Sequence, residues 1–359
     1  MSLVTDEPKL YSIREIQGKG LGCVATTVIK KRTLILGESA SFHHSGESEY
    51  LDKAYLDEIF QGFLTMSAED KEKYLSLSNC FSNQNTSPSS STCKMASVLK
   101  YLESNPIGLP RKQAELVYQI YHTNSFHNGI FLEMSRFNHS CIPNAECFWN
   151  KDTKTLEMRA VKKIGKDGEI TISYLNLNPR GGKHDREERR AFLMDLYHFH
   201  CNCIGCDISE DELKIQDEKC AEYSTIWAHM KEQKRVSELM RSSDTSSEID
   251  DLKALYKVAK GLKILGHRYI LTFITGEGFD AACRGYLTMV EMLKSTNSTV
   301  QKKGKRDNFW RNIACFANAG YDLSKNVNGT EHPDTLGWQE RKQDPIAFFK
   351  NKYGINIVS

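Results

Sequence analysis

The sequence has almost no net charge, because 48 lysines and arginines face 46 aspartates and glutamates, for a total of +2 at neutral pH. This balance argues against broad electrostatic binding to nucleic acid. No apolar run approaches the roughly 20 residues that a membrane-spanning helix needs. Residues 1–9 hold Asp6, Glu7 and Pro8 and lack the apolar stretch of a secretory signal. We therefore expect neither direct nucleic-acid binding nor membrane association.

Cysteine is present in an uneven distribution. The chain has 11 cysteines, and three of them, Cys201, Cys203 and Cys206, fall within six residues. In a reducing compartment such a cluster is typical of a metal site rather than of a disulfide framework, which places the protein in the cytoplasm, the nucleus or both. Small apolar core residues are the alternative, but the polar residues between these cysteines suit a core strand poorly. Structural zinc takes four ligands, and the candidates for the fourth are Cys141, Cys147, Cys220 and His200.

The pattern of apolar residues predicts an α+β protein. A glycine-rich turn at 17–22 precedes β-branched residues, and residues 155–161 form the clearest strand. Helical spacing begins near residue 50, and Ser67 followed by Asp70 is typical of a helix start. Further helices are predicted over 114–122 and 185–197. Beyond residue 210 the segments are of helical type, so we place a domain boundary near residue 208.

Two short motifs carry the strongest functional signal. Residues 136–144 read Arg-Phe-Asn-His-Ser-Cys-Ile-Pro-Asn, and residues 168–174 read Gly-Glu-Ile-Thr-Ile-Ser-Tyr. Taken singly, each is weak: an Asn-His pair is often a hydrogen-bonded turn, and the glycine turn lacks a full dinucleotide fingerprint. In this order, and followed by the cysteine cluster, they resemble the core of a SET-domain lysine methyltransferase with its post-SET zinc cap.

The resemblance extends to the SET and MYND-domain (SMYD-like) family. It covers about residues 10–206 and implies a β-rich SET fold over 1–208, with a helical insert at about 47–105 and a cysteine cap at about 198–208. An α-helical C-terminal domain would occupy 209–359. The MYND zinc finger needs about eight Cys and His ligands, and the insert holds only Cys80 and Cys93. The chain therefore resembles a branch that lacks this finger.

The resemblance also implies roles for individual residues. S-adenosylmethionine would bind one face of the core, and the substrate lysine would enter from the opposite face through a narrow channel. Phe199 would stack on the adenine, and Gln17 departs from the basic residue that many relatives carry. The implied cofactor-binding residues are Gly18, Lys19, Gly20, Leu21, Asn124, Asn138, His139, Tyr174 and Phe199. The implied catalytic residues are Tyr174, at the methyl-transfer point, and Tyr197, in the lysine channel; the implied zinc ligands are Cys141, Cys201, Cys203 and Cys206.

The function that this resemblance implies is S-adenosylmethionine-dependent N-methylation of a lysine in a protein substrate, histone or non-histone, by a monomeric enzyme. A catalytically silent, zinc-stabilised interaction scaffold is the alternative from another class. A zinc-dependent hydrolase is a third reading. It requires an open metal position, whereas four protein thiolates would close the site.

Overall fold

The fold is taken from a computed structural model. It describes residues 9–44, 51–82, 90–126, 128–150, 152–175, 185–239, 246–261, 278–283, 286–287, 300–328, 330 and 333–353. The chain divides into two compact units. The first comprises residues 1–174 and 189–203, and the second comprises residues 175–188 and 204–359.

The first unit is built on short strands arranged in small sheets. Strand β1 (Tyr11–Ile16) pairs antiparallel with β2 (Gly20–Ala25). A second sheet has the order β3 (Leu34–Glu38), β8 (Thr155–Ala160), β7 (Ala145–Asn150), all antiparallel. Strand β4 (Phe42–His43) pairs antiparallel with β5 (Gly129–Ile130), and β6 (Asn138–His139) pairs in parallel with β9 (Thr171–Ile172).

The β1–β2 hairpin closes over a three-residue connection, because Ile16 lies opposite Gly20. Gly18 and Gly20 take positive φ angles of 74° and 72°, a backbone region in which glycine carries no side-chain penalty. Lys19 sits between them, with its amide donating to the Ile16 carbonyl at 2.9 Å. The glycines therefore fix the position of Lys19 at the hairpin tip.

The core of these sheets is made of apolar side chains from the strands and from the segments that connect them. It includes Ile29, Phe131, Phe137, Met158 and Ile170, each at most 1% exposed. The loop that precedes β9 lies along β2, since Ala25 donates to the Gly168 carbonyl and Ile170 donates to the Cys23 carbonyl. This contact brings the second motif beside the N-terminal hairpin.

Four helices lie between β4 and β5: α1 (Lys53–Thr65), α2 (Ala68–Leu75), α3 (Ser90–Ser104) and α4 (Arg111–Asn124). Ser67 caps α2 as predicted, with its side chain accepting from the Asp70 amide. Apolar residues of these helices share a core, in which the Tyr74 hydroxyl donates to the Val117 carbonyl at 2.6 Å. The predicted helix over 114–122 is confirmed and begins three residues earlier, directly after Pro110.

Helix α5 (Arg186–Tyr197) confirms the helix predicted over 185–197. The second unit contains α6 (Glu210–Leu239), α7 (Ser246–Gly261), α8 (Val300–Asn328), α9 (Pro333–Gln343) and α10 (Pro345–Lys352). In α9, the Arg341 guanidinium lies 4.1 Å from the ring centroid of Trp338 and 4.5 Å from that of Phe348. Over the described residues, no helix combines the length and the apolar content needed to cross a bilayer.

Candidate cofactor site and cysteine cluster

The parallel pairing of β6 with β9 joins the two motifs. Asn138 lies opposite Thr171, His139 lies opposite Ile172, and the Ser140 amide donates to the Ile172 carbonyl at 2.9 Å. Asn144, at the end of the first motif, secures the same junction. Its amide group donates to the Glu169 carbonyl at 2.8 Å and accepts from the Thr171 amide at 2.9 Å.

Glu169 connects the first motif to the N-terminal hairpin. Its Oε1 accepts from Asn138 Nδ2 at 3.1 Å, and its Oε2 accepts from Lys19 Nζ at 2.6 Å. The Lys19 and Glu169 side chains are 39% and 20% exposed. Gly22 makes room for this arrangement, since a Cβ at that position would lie 2.4 Å from Asn138 Nδ2. Two predicted cofactor-binding residues, Lys19 and Asn138, therefore share one carboxylate.

Four rings gather beside β6, and we refer to His139, Tyr174, Tyr197 and Phe199 as the aromatic quartet. The ring centroids of Tyr174 and Tyr197 are 4.9 Å apart, and those of His139 and Tyr174 are 5.4 Å apart. Phe199 lies 6.0 Å from His139 and meets Tyr174 edge-on at 6.4 Å. The structure thus brings together four of the predicted site residues.

His139 links the aromatic quartet to the cysteines. Its Nδ1 accepts from the Tyr174 amide at 3.0 Å, and its Nε2 lies 3.3 Å from Cys141 Sγ. Because a backbone N–H can only donate, Nδ1 carries no proton, and in the neutral ring the proton sits on Nε2 and faces the sulfur. Burial disfavours the charged form and lowers the pKa of His139 to about 4.

Tyr174 and Tyr197 are half-buried phenols that keep their protons at neutral pH. The Tyr174 hydroxyl donates to the Phe137 carbonyl at 2.8 Å. Burial raises the pKa of Tyr174 well above its ordinary value and raises the pKa of Tyr197 to about 12. Neither phenol can therefore act as a base at neutral pH. Each offers a ring face and a hydroxyl oxygen with a free lone pair.

The cysteine cluster contains the buried thiols of Cys141, Cys201, Cys203 and Cys206, whose sulfurs all lie within 4.8 Å of one another. The Sγ atoms of Cys141 and Cys201 are 4.0 Å apart. A tetrahedral ion with Zn–S bonds of about 2.3 Å would separate its sulfurs by roughly 3.8 Å. The size and the all-sulfur chemistry of this set therefore suit zinc.

The structure discriminates among the candidates for the fourth ligand. Cys147 lies on β7, with its sulfur 3.6 Å from that of Met134. Cys220 lies on α6, and His200 is exposed. Within the described ranges, Cys141 is the residue that joins the three clustered cysteines.

The end of α5 positions two residues of the aromatic quartet, Tyr197 and Phe199, and the three clustered cysteines that follow them. Tyr197 is the last residue of the helix, and His198 takes a left-handed backbone (φ 57°), a conformation common just past a helix C-terminus. Phe199 and Cys201 follow directly. Arg190, two turns back on α5, donates to the Cys201 carbonyl at 3.0 Å and holds the cysteine turn against the helix.

Asn124 is placed differently from the other predicted site residues. It is the last residue of α4 and is buried, and its Nδ2 donates to the carbonyls of Ser78 and Ile120, both at 2.8 Å. Among the described contacts, none joins it to Asn138 or to the aromatic quartet. Its role in cofactor binding stays a prediction, as does that of Leu21, whose side chain is 52% exposed.

Sequence reasoning missed three residues that organise the site: Glu169, Asn144 and Arg190. Glu169 and Asn144 both belong to the quoted motifs, but a Gly-Glu turn before a strand is an ordinary feature. Their roles depend on partners far along the chain, such as Lys19, which is 150 positions from Glu169. No local pattern reveals such a pairing.

Comparisons with known proteins give matches over part of the chain. Residues 20–175 match the SET domain. The histone-lysine N-methyltransferase set5 of Schizosaccharomyces pombe is 25% identical over 212 residues, which cover 59% of this chain and 55% of that protein. The protein-lysine N-trimethyltransferase SMYD5 of Danio rerio is 35% identical over 123 residues, covering 31% of this chain and 29% of the relative. The chain thus spans 55% of the length of the first relative and 29% of the second.

Among solved structures, the SET domain of LSMT bound to lysine and AdoHcy aligns with 94% of this chain and 91% of its own, at 12% identity and a TM-score of 0.35. Residues 20–175 contain both motifs through Tyr174. This stretch is similar to a SET domain, and the set5 and SMYD5 relatives each match part of this chain.

Proposed function

We propose that this protein is an S-adenosylmethionine-dependent protein-lysine N-methyltransferase. The observation that carries the proposal is the convergence of Asn138, His139, Tyr174 and Phe199 around one junction, β6 with β9. The relatives named as lysine methyltransferases support it. We also propose that the substrate is a lysine in a protein, histone or non-histone.

The donor set suits the chemistry of S-adenosylmethionine. Asn138 and Lys19 offer polar and cationic groups for an amino-acid end, and Phe199 offers a ring for an adenine. Once bound, this cofactor would supply an electrophilic methyl group on a sulfonium. The residues of the chain then have two tasks: they align the lysine nitrogen with the methyl group, and they keep the lysine amine neutral.

Tyr174 can assist without exchanging a proton. Its hydroxyl proton is committed to the Phe137 carbonyl, so the remaining lone pair can accept a weak hydrogen bond at the reacting centre. The rings of Tyr174 and Tyr197 form an apolar surface that disfavours a charged amine and lowers the pKa of an entering lysine by desolvation. Both phenols stay protonated and cannot accept the lysine proton. We therefore infer that desolvation lowers the pKa of the lysine amine and that its proton passes to bulk solvent.

For the cysteine cluster we propose a structural zinc ion held by Cys141, Cys201, Cys203 and Cys206. Four protein thiolates leave no open position for substrate, so the ion would stabilise the turn after α5 instead of taking part in the reaction. Cys141, one of the proposed ligands, lies beside His139 Nε2, and His139 Nδ1 accepts from the Tyr174 amide. For the domain organisation, the boundary near residue 208 and the cap at 198–208 remain proposals.

The test is methyl transfer from labelled S-adenosylmethionine into cell-extract proteins, followed by mass spectrometry of the modified lysine. Wild type should transfer label, and Tyr174→Phe should lose about 100-fold or more in turnover while binding S-adenosylhomocysteine with little change. Tyr74→Phe is the matched control. It too removes a hydroxyl that donates to a backbone carbonyl, but this one lies in the insert core.

Both variants should lose about 0.5–1.5 kcal/mol of stability, because each removes one hydrogen bond from a hydroxyl to a backbone carbonyl. Only Tyr174→Phe should lose turnover. A folded, zinc-loaded wild type that binds S-adenosylhomocysteine but labels no fraction of the extract would favour the silent scaffold. Equal turnover for the two variants would remove Tyr174 from the catalytic role.

A further inference from the structure

Glu169 is the central member of a three-residue polar chain, Lys19–Glu169–Asn138. Its carboxylate accepts from Lys19 Nζ at 2.6 Å through one oxygen and from Asn138 Nδ2 at 3.1 Å through the other. The backbone of Glu169 is fixed independently, since its carbonyl accepts from Asn144 Nδ2 at 2.8 Å. The carboxylate is therefore held in place by the main chain and not only by its partners.

This contact decides which way the Asn138 amide faces. A carboxylate can only accept hydrogen bonds, so the NH₂ group of Asn138 must point at Glu169, and Oδ1 must point away from it. Gly22 leaves room for the amide nitrogen, which lies only 2.4 Å from where a Cβ would stand. Asn138 consequently presents an acceptor oxygen, the group that an ammonium requires.

The same carboxylate sets the position of Lys19. Positive φ angles at Gly18 and Gly20 define the backbone of the hairpin tip, and the ion pair restrains the long side chain that projects from it. The Glu169 carboxylate thus holds both the Lys19 cation and the Asn138 amide, whose oxygen is a neutral acceptor. This pair matches the carboxylate and the ammonium of an α-amino acid.

We propose that Glu169 is a positioning residue that makes the site selective for ligands carrying an α-amino-acid end. The inference rests on the proposed function, since it names the part of S-adenosylmethionine that the Lys19–Glu169–Asn138 chain recognises. An ordinary surface ion pair would contribute little and would show no preference among ligands. A positioning role for Glu169 therefore predicts selectivity between ligands with and without the amino-acid end, whereas a surface ion pair predicts none.

The experiment uses two probes that share an adenosine thioether. S-adenosylhomocysteine carries the amino-acid end, and 5′-methylthioadenosine lacks it. Calorimetry on the full zinc-loaded chain gives the Kd of each probe for wild type and for Glu169→Gln. Asp167→Asn is the matched control, because Asp167 lies two residues away and pairs with Arg14 at 3.2 Å on an exposed surface.

We expect Glu169→Gln to weaken S-adenosylhomocysteine binding about tenfold or more, the usual effect of misplacing hydrogen bonds to a charged group. Methylthioadenosine binding should change less than about twofold, and Asp167→Asn should change neither. Lys19→Met is a second variant, for use if the glutamine protein melts at a lower temperature than wild type. It keeps the Glu169–Asn138 contact, and it should also weaken S-adenosylhomocysteine selectively.

Equal weakening of both probes, or no change in either, overturns the inference while leaving the proposed function intact, because wild type would still bind S-adenosylhomocysteine. A zinc-loaded wild type that binds neither probe overturns the proposed function and the inference with it.

Discussion

The close approach of Asn138 to Gly22 gives a quantitative prediction for Gly22→Ala. The new methyl carbon would lie 2.4 Å from Asn138 Nδ2 and 2.8 Å from Ile16 Cγ1, where ordinary contacts measure 3.4–4 Å. The φ angle of Gly22 lies outside the left-handed region, so the backbone itself accepts alanine. Compared with a glycine-to-alanine change in open space, the substitution therefore tests the packing over this residue.

Overlaps of this size usually cost about 1–3 kcal/mol in a packed region. For a urea dependence of about 2 kcal/mol per molar, the unfolding midpoint should fall by roughly 0.5–1.5 M. The displaced amide should also lose its hydrogen bond to Glu169. S-adenosylhomocysteine should then bind about tenfold or more weakly, because an acceptor for a charged group is misplaced.

The measurements are urea unfolding followed by far-ultraviolet circular dichroism and calorimetric titration with S-adenosylhomocysteine. Gly37→Ala on β3 is the control, since a Cβ there meets nothing within 4 Å. It should leave affinity unchanged and stability equal or slightly higher. If Gly22→Ala matched wild type in both measurements, the assigned position of the Asn138 amide would be wrong.

Two further predictions concern the cysteines and the second unit. Cys141→Ser should lose most of its zinc during dialysis against a chelator, whereas Cys315→Ser, at an exposed position outside the cluster, should keep it. Elemental analysis measures the zinc content of both variants. Equal zinc contents would exclude Cys141 as a ligand. Gly320→Ala should cost about 1–3 kcal/mol, because a Cβ there meets the Trp338 ring at 2.4 Å. Gly337→Ala, where the space is open, should raise stability by up to about 1 kcal/mol. Thermal melts of the two alanine variants that move in the same direction would contradict the described packing of α8 on α9.

The sequence predicted those features that depend on near neighbours. The cap at Ser67, strand β8 and helix α5 all follow from side chains within a few residues of one another. The cysteine cluster was equally visible, since three thiols share one turn. The spacing alone leaves four candidates for the fourth member, the resemblance to the SET family implies Cys141, and the structure places Cys141 with the other three.

The pairings that create the site could not be predicted in this way. Parallel strands two residues long, such as β6 and β9, have no periodicity to detect. A carboxylate that serves Lys19 and Asn138 at once looks like any glutamate before a strand. The position of Asn124 is also beyond sequence reasoning, because it depends on a bond to the Ser78 carbonyl, 46 positions away in the segment after α2, as well as on one to Ile120 in its own helix.

The distance along the chain between Lys19 and Glu169 has a consequence for synthesis on the ribosome. The two residues are 150 positions apart, so at about 5–20 residues per second the hairpin emerges about 8–30 s before its carboxylate partner. Cys141 likewise precedes Cys201 by 60 positions. At the same rate, Cys141 is synthesised about 3–12 s before Cys201. During that interval the nascent chain presents an unpaired thiol to cellular oxidants and to competing metal ions. The helices of the insert have by then emerged in full, so the part of the protein that would do the chemistry is assembled after the part that supports it.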